Sequence, residues 1–257
     1  PSMTRTFPIN LLDFTDDNLN TLEATVQSPT ANGYYWRPYL TMNEKASPDV
    51  WGPAYRSYYS ANVIINGAGS ATDGSDLQKQ SVIAEALVVR ANCYLELLTV
   101  FAKAYNPATA ASDPGLPLVT STDVNDKAPP RATLKATLDA IIADLKTAAE
   151  SLPTTNINRY RATKYAAYGL LSRIFLYMGD FDNAETYTDM ALQGTHSILN
   201  YNNYATYTLM PVYDLNPEVI VSERIGNGMG DYDIPGDNRI PAANGRFDKP
   251  WEAIGTF

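Results

Sequence analysis

The fold turns on one stretch, TKYAAYGLLSRIFLYMGDFDNAETYTDMALQG, residues 163–194. Large apolar side chains recur in it at steps of three and four, the period of a helix with one buried stripe. Gly179-Asp180-Phe181 interrupts the pattern as a tight turn, so the stretch predicts two helices, over 163–178 and 182–193. Asp182 is expected to cap the second helix, with Glu185 three residues on at the spacing of a capping box, and Gly194 to close it. Tyr168, Leu171, Ser172, Phe175, Gly179, Ala184 and Ala191 fall near the alternating large and small positions of a tetratricopeptide hairpin. Thr188 departs from that pattern, which wants an aromatic there. One such hairpin cannot bury both of its faces, so other helices must stack beside it.

Those helices are found upstream. Thr133 is placed to cap a helix over 133–151, with Leu134, Leu138, Ile141, Leu145, Ala148 and Leu152 as its stripe and Pro153 as its stop. Before it, Ile83, Leu87, Ala91, Tyr94, Leu98, Phe101 and Tyr105 mark a helix over 76–105, ended by Asn106-Pro107. Trp51, Tyr55, Tyr58, Asn62 and Ile65 mark another over 51–66, and a short helix over 16–27 is expected near the start. Residues 67–75 and 107–130 read as loops, the second a long one. Beyond Ser197, Tyr201, Tyr204, Tyr207 and Tyr213 lie among Asn and Thr. Residues 218–222 form a short strand-like run, and residues 226–250 read as exposed loop. The expected fold is therefore mainly α: tetratricopeptide-like hairpins in an α-α superhelix, with long loops and little β. One domain spans 1–257, with an irregular segment over 1–50, a helical core over 51–194 and a loop-rich part over 195–257.

Composition narrows the function. With 45% hydrophobic and 18% charged residues the chain has material for a buried core. A formal net charge of −9 repels phosphate backbones, which argues against nucleic acid as a partner. The single cysteine, Cys93, excludes an intrachain disulfide and reads as a small core residue. The single histidine, His196, stands at a helix end with nothing around it to complete a triad or a metal site. Asp139, Asp144 and Glu150 share one helix, but each reads as a solvated-face acid. Glu85 and Arg90 read as a structural ion pair. Asp231, Asp233 and Asp237 lack EF-hand spacing and read as turn acids. No catalytic residue, metal or cofactor is expected. No window is apolar enough to span a membrane, and the first residues lack the basic start and apolar run of a signal peptide.

The motifs, taken in order, form a series. It runs Trp51-x3-Tyr55-x2-Tyr58-x2-Ala61-Asn62, then Ala84-Glu85-Ala86-x3-Arg90-Ala91-x2-Tyr94, then Gly115-Leu116-Pro117-Leu118. Arg131-x-Thr133, Asp144-Leu145-x2-Ala148-x3-Leu152-Pro153, Thr163-Lys164-x-Ala166-Ala167-x2-Leu170-Leu171-x-Arg173 and Asn216-Pro217-Glu218-Val219-Ile220 complete it. The series resembles the SusD/RagB family of surface lipoproteins that bind nutrient glycans. The resemblance implies a SusD-like helical fold and no enzymatic activity. It further implies oligosaccharide or polysaccharide as ligand and a SusC-like TonB-dependent transporter as partner. Localisation would be the outer-membrane surface, through an N-terminal lipid anchor that this chain lacks. Family members are usually longer, so 195–257 reads as the start of a shortened second half. The alternative is a tetratricopeptide scaffold for proteins or peptides; the long loops weigh against it.

A sugar site needs aromatic platforms for the apolar faces of the ring and polar groups for its hydroxyls. With 18 Tyr and 3 Trp, platforms are plentiful, though most aromatics in any chain are packing residues. The candidates are Tyr34, Tyr35 and Trp36, with Asn43 and Asp49 in the next loop and Tyr232 in the later one. The same three aromatics are suited to packing the N-terminal segment onto the helices, and the sequence leaves both uses open.

Overall fold

The computed structural model describes residues 35–37, 51–156, 158, 160–194, 196–198, 200, 218, 220 and 221. In chain order the elements are α1 (Trp51–Gly67), α2 (Asp76–Phe101), β1 (Pro114–Pro117), β2 (Arg131–Thr133), α3 (Leu134–Ser151), α4 (Lys164–Met178) and α5 (Phe181–Ala191), with a short 3-10 turn at Ala68–Ser70. The mainly helical fold expected from the periodicities is the one observed. Ala54–Ile198 with Pro217–Glu223 forms one compact unit, and residues 35–37 belong to another.

Within the larger unit, successive helices pack on one another: α2 on α3, α3 on α4, α4 on α5. The α3 stripe is buried at every position named from sequence, from Leu134 to Leu152. α2 sits centrally and is buried over more than one stripe, adding Ala84, Val88, Leu95 and Leu97 to Leu87, Ala91, Tyr94 and Leu98. Cys93 is buried among them. Leu171 on α4 is fully buried between helices. Leu171→Ala is expected to destabilise by about 2–5 kcal/mol through the cavity it leaves. Urea unfolding checks this, and a loss under about 1 kcal/mol would mean the site collapses around the smaller residue.

Several boundaries differ from expectation. α2 ends at Phe101, with Ala102 extended, rather than at 105. The Arg131 guanidinium donates to the Phe101 carbonyl oxygen at 2.8 Å, so a carbonyl orphaned by the helix end is satisfied from outside the helix. The N-cap of α5 is Asp180, not Asp182: its carboxylate accepts from the Asn183 N–H at 3.2 Å. Gly179 takes a left-handed φ of 74°, which reverses the chain at once and lets α5 start early. Gly194 does not close α5, which ends at Ala191; a Cβ there would meet the Tyr165 ring at 2.8 Å, so close packing requires the glycine. The Thr133 cap is as expected, accepting from the Ala136 N–H at 3.1 Å. Ser75 and Gln78 form a capping box on α2 that the sequence reading missed.

The segment read as one long loop, 107–130, contains β1, which pairs antiparallel with β2 in the register Pro114↔Thr133 and Pro117↔Arg131. Thr188 takes part in a polar seam: its hydroxyl donates to the Ala184 carbonyl at 2.8 Å and meets the Ser172 hydroxyl. A hydroxyl serves there where the repeat pattern wants a ring. The expected helix at 16–27, the tyrosines after 200 and the loop at 226–250 lie outside the described residues. Of the strand-like run at 218–222, Glu218 lies in a turn and Ile220 in a bend.

Candidate glycan platform and the network behind the loop

Of the six candidate ligand residues, Tyr35 and Trp36 are described; Tyr34, Asn43, Asp49 and Tyr232 lie outside the described residues. Tyr35 and Trp36 are adjacent in a turn, and the two residues are 53% and 73% exposed. The Arg37 guanidinium lies 5.7 Å from the centre of the Tyr35 ring, within cation–π range. That residue was missed from sequence; its signal was a cation directly after three aromatics. Trp36 has φ of 51°, and among the described residues no other non-glycine residue has a positive φ. For a bulky side chain this conformation costs of order 1–3 kcal/mol, and an exposed ring gains little burial to offset it.

The larger unit holds a second constellation, built from the sequence motifs themselves. Tyr55 and Tyr58 on α1 and Tyr94 on α2 form a ring cluster, with the Tyr58 and Tyr94 centroids 4.2 Å apart. The Tyr55 and Tyr94 hydroxyls both donate to the Pro117 carbonyl, at 2.9 and 3.0 Å. Tyr94 also accepts from the Val119 N–H at 2.9 Å. Burial pushes the Tyr55, Tyr58 and Tyr94 phenols above their ordinary range, so each keeps its proton.

Asn62 carries the chain of contacts further. Its amide donates to the Val119 carbonyl at 2.7 Å, and its oxygen accepts from Arg90 Nη1 at 3.0 Å. Arg90 then binds Asp144 bidentately, Nε to Oδ2 at 2.7 Å and Nη2 to Oδ1 at 2.6 Å. Burial opposes the Arg90 charge, but the hydrogen bonds and charge of Asp144 outweigh it and hold the guanidinium above its ordinary pKa. On either side of this path, Asn66 and Tyr59 donate to the Thr120 and Thr122 carbonyls at 3.0 and 3.1 Å. Arg131 and Thr137 bind the β1 backbone. Tyr55, Asn62, Tyr94 and Arg131 of the motifs, with Tyr59, Asn66 and Thr137, thus share one job: they tether residues 114–122 to the helices.

Two expectations are corrected here. Glu85 and Arg90 do not pair. Glu85 pairs with Arg161, at 2.6 and 2.9 Å, and Arg90 with Asp144. Asp144 is consequently no solvated-face acid. Asp139 is one, exposed and paired with Lys135 on the same helix. His196 is exposed and its Nδ1 lies 2.8 Å from the Gly194 carbonyl. Among the described residues no cluster of His, Cys, Asp or Glu is arranged to hold a metal, and no helix is long and apolar enough to cross a membrane.

The larger unit is a set of helical hairpins that carry a tethered loop. Residues 8–176 match the SusD-like_3 family, described as starch-binding associating with outer membrane, and the chain belongs to that family. The family is one of binding proteins, not enzymes. The chain is similar to SusD-like protein P2 of Formosa agariphila, at 31% identity over 134 residues, covering 52% of this chain and 25% of that one. It also superposes on a putative sugar binding protein from Bacteroides vulgatus with a TM-score of 0.67 at 22% identity, covering 82% of this chain and 48% of the other. A laminarin binding SusD-like protein gives a TM-score of 0.56 at 18% identity over 80% of this chain and 41% of the other. Those two likenesses are likenesses of fold. The chain spans about a quarter of the curated relative and under half of these two structures.

Proposed function

We propose that the chain captures carbohydrate at the outer-membrane surface and passes oligosaccharide to a SusC-like TonB-dependent transporter. The observation that carries the reading is Trp36: an exposed indole held in a left-handed backbone conformation next to the exposed Tyr35 ring. Strain of this kind persists where a side chain must be presented in a set direction. Flat rings offered to solvent suit the apolar faces of a pyranose, and the Arg37 guanidinium beside them supplies hydrogen-bond donors for its hydroxyls. Membership of a family described as starch-binding supports the ligand class, and the laminarin-binding relative supports glucans in particular. Tyr34, Asn43, Asp49 and Tyr232 remain candidates for the same ligand, and residues 51–194 are the scaffold.

The test is Trp36→Ala, titrated with maltohexaose and laminarihexaose by calorimetry. Affinity for the cognate glucan is expected to fall about tenfold, the scale of one lost stacking contact, with the melting temperature nearly unchanged. A large fall in melting temperature with affinity intact would make Trp36 a packing residue and overturn the assignment.

A further inference from the structure

One group of polar side chains in the larger unit lies together around a single groove and is not used by the fold. Lys146, Ala149 and Glu150 on α3, Tyr168 on α4 and Tyr187 and Met190 on α5 line one open groove of about 300 Å³, with the fully buried Leu171 beneath them. Among the described residues none of their four polar heads makes a hydrogen bond or ion pair, whereas the hydroxyls of Tyr55, Tyr59, Tyr94 and Tyr177 all donate to backbone carbonyls. Lys146 and Glu150 stand four apart on one helix face, yet no ion pair joins them, so both charges face solvent available to a ligand. Lysine N-terminal to glutamate is the weaker of the two orientations for such a pair.

The rings are held in place. Tyr187 stacks on Phe175 with centroids 5.4 Å apart and planes 6° from parallel, and Tyr168 leans against it at 6.2 Å. Fixed rings lose little freedom when a ligand lands on them. The volume is at the lower end of ligand clefts, which run about 300–1,000 Å³. It suits a single sugar ring. A carboxylate that accepts from neighbouring hydroxyls, an ammonium that donates and two phenols that do either match the hydroxyls of a pyranose, and the two tyrosine rings offer apolar surface to its faces.

We propose that this groove is a second carbohydrate subsite, separate from the Trp36 platform. It rests on the reading of the chain as a glycan binder, and binds one terminal or internal pyranose of a glucan. A peptide is the poorer fit: helical repeats that bind peptides use concave surfaces continued over several repeats, and this groove occupies one hairpin and its neighbour.

The experiment uses the whole chain labelled with 13C at the methionine methyls, where Met190 reports the groove, and with 15N at the indoles, where Trp36 reports the platform. The probes are maltohexaose and laminarihexaose. One of the two is expected to shift the Met190 methyl in the native chain and equally in Trp36→Ala. Lys146→Ala with Glu150→Ala is expected to weaken that response roughly tenfold or more, while the Trp36 response stays. Tyr168→Phe with Tyr187→Phe keeps the ring stack and is expected to weaken it as well, so a loss cannot be put down to unfolding. If Trp36 responds and Met190 does not, the groove is no subsite and the platform stands. If Met190 responds and Trp36 does not, the platform is wrong and the groove stands. Silence of Met190 with both glucans, or a response only to peptides, overturns the proposal.

Discussion

Asp144→Ala is expected to cost the fold about 3–5 kcal/mol, because it strands a guanidinium inside the protein. Arg90 and Asp144 are only 12% and 16% exposed, and their contact is bidentate at 2.6 and 2.7 Å. Without the carboxylate, Arg90 keeps a single partner among those named above, the Asn62 amide oxygen at 3.0 Å. The damage should travel. Asn62 holds the Val119 carbonyl, and Tyr94 binds the Val119 N–H, so the loop at 117–120 should lose hydrogen-exchange protection along with the global fall in stability. Replacing both partners by apolar residues, Arg90→Met with Asp144→Leu, should recover much of the loss, since the buried charge is then gone from both sides. Urea unfolding reads the energies. A single variant within about 0.5 kcal/mol of the native chain would place the pair among surface ion pairs and remove it from the tether.

That ion pair also marks the limit of what the sequence could disclose. Helix type and position follow from local spacing, and the α3 stripe from Leu134 to Leu152 was readable because burial on a helix repeats with the helix period. Partner choice does not repeat. Glu85 and Arg90 are near in sequence, yet each finds its mate on a segment more than fifty residues away, Arg161 and Asp144. Asp144 follows Ile141 by three and precedes Leu145 by one, so it lies at the edge of the buried stripe, where spacing alone cannot tell a solvated acid from a buried one. The end of α2 eludes the sequence for the same reason: the apolar spacing continues to Tyr105, while the backbone turns extended at Ala102 and the freed Phe101 carbonyl takes its donor from the distant Arg131. At the platform, the residue types at Tyr35 and Trp36 were legible, and their exposure and the backbone twist at Trp36 were not. The groove went unseen because Tyr168 had a sufficient role as a hairpin position and Glu150 as a solvent-facing acid.

Gly115→Ala is expected to be the most damaging Gly→Ala change among the described glycines, at more than about 3 kcal/mol. The usual sign is the reverse: where the backbone permits it, Gly→Ala stabilises by about 0.4–1 kcal/mol through the unfolded state. Gly115 is not among the described glycines with positive φ, which are Gly74 and Gly179, so conformational freedom is not what the position needs. It needs room. A Cβ there would sit 2.5 Å from the Thr133 carbonyl oxygen and 2.8 Å from its carbon, with the Thr137 hydroxyl closer still. Neither neighbour can give way. Thr133 is both the end of β2 and the N-cap of α3, and the Thr137 hydroxyl donates to the Thr133 carbonyl at 2.9 Å while accepting from the Leu116 N–H at 3.1 Å. A methyl at 115 therefore has to push β1 off the first turn of α3. That strands the buried Leu116 amide and loosens the Arg131 grip on the Gly115 carbonyl, now 2.6 Å. Thr137→Ala should not rescue it, because the backbone carbonyl still stands in the way, and Gly115→Ala should lose protection at 114–119 before the helices melt. A Gly115→Ala chain as stable as the native one would show that β1 can shift freely, and the tether of the loop would then rest on the tyrosines and Asn62 alone.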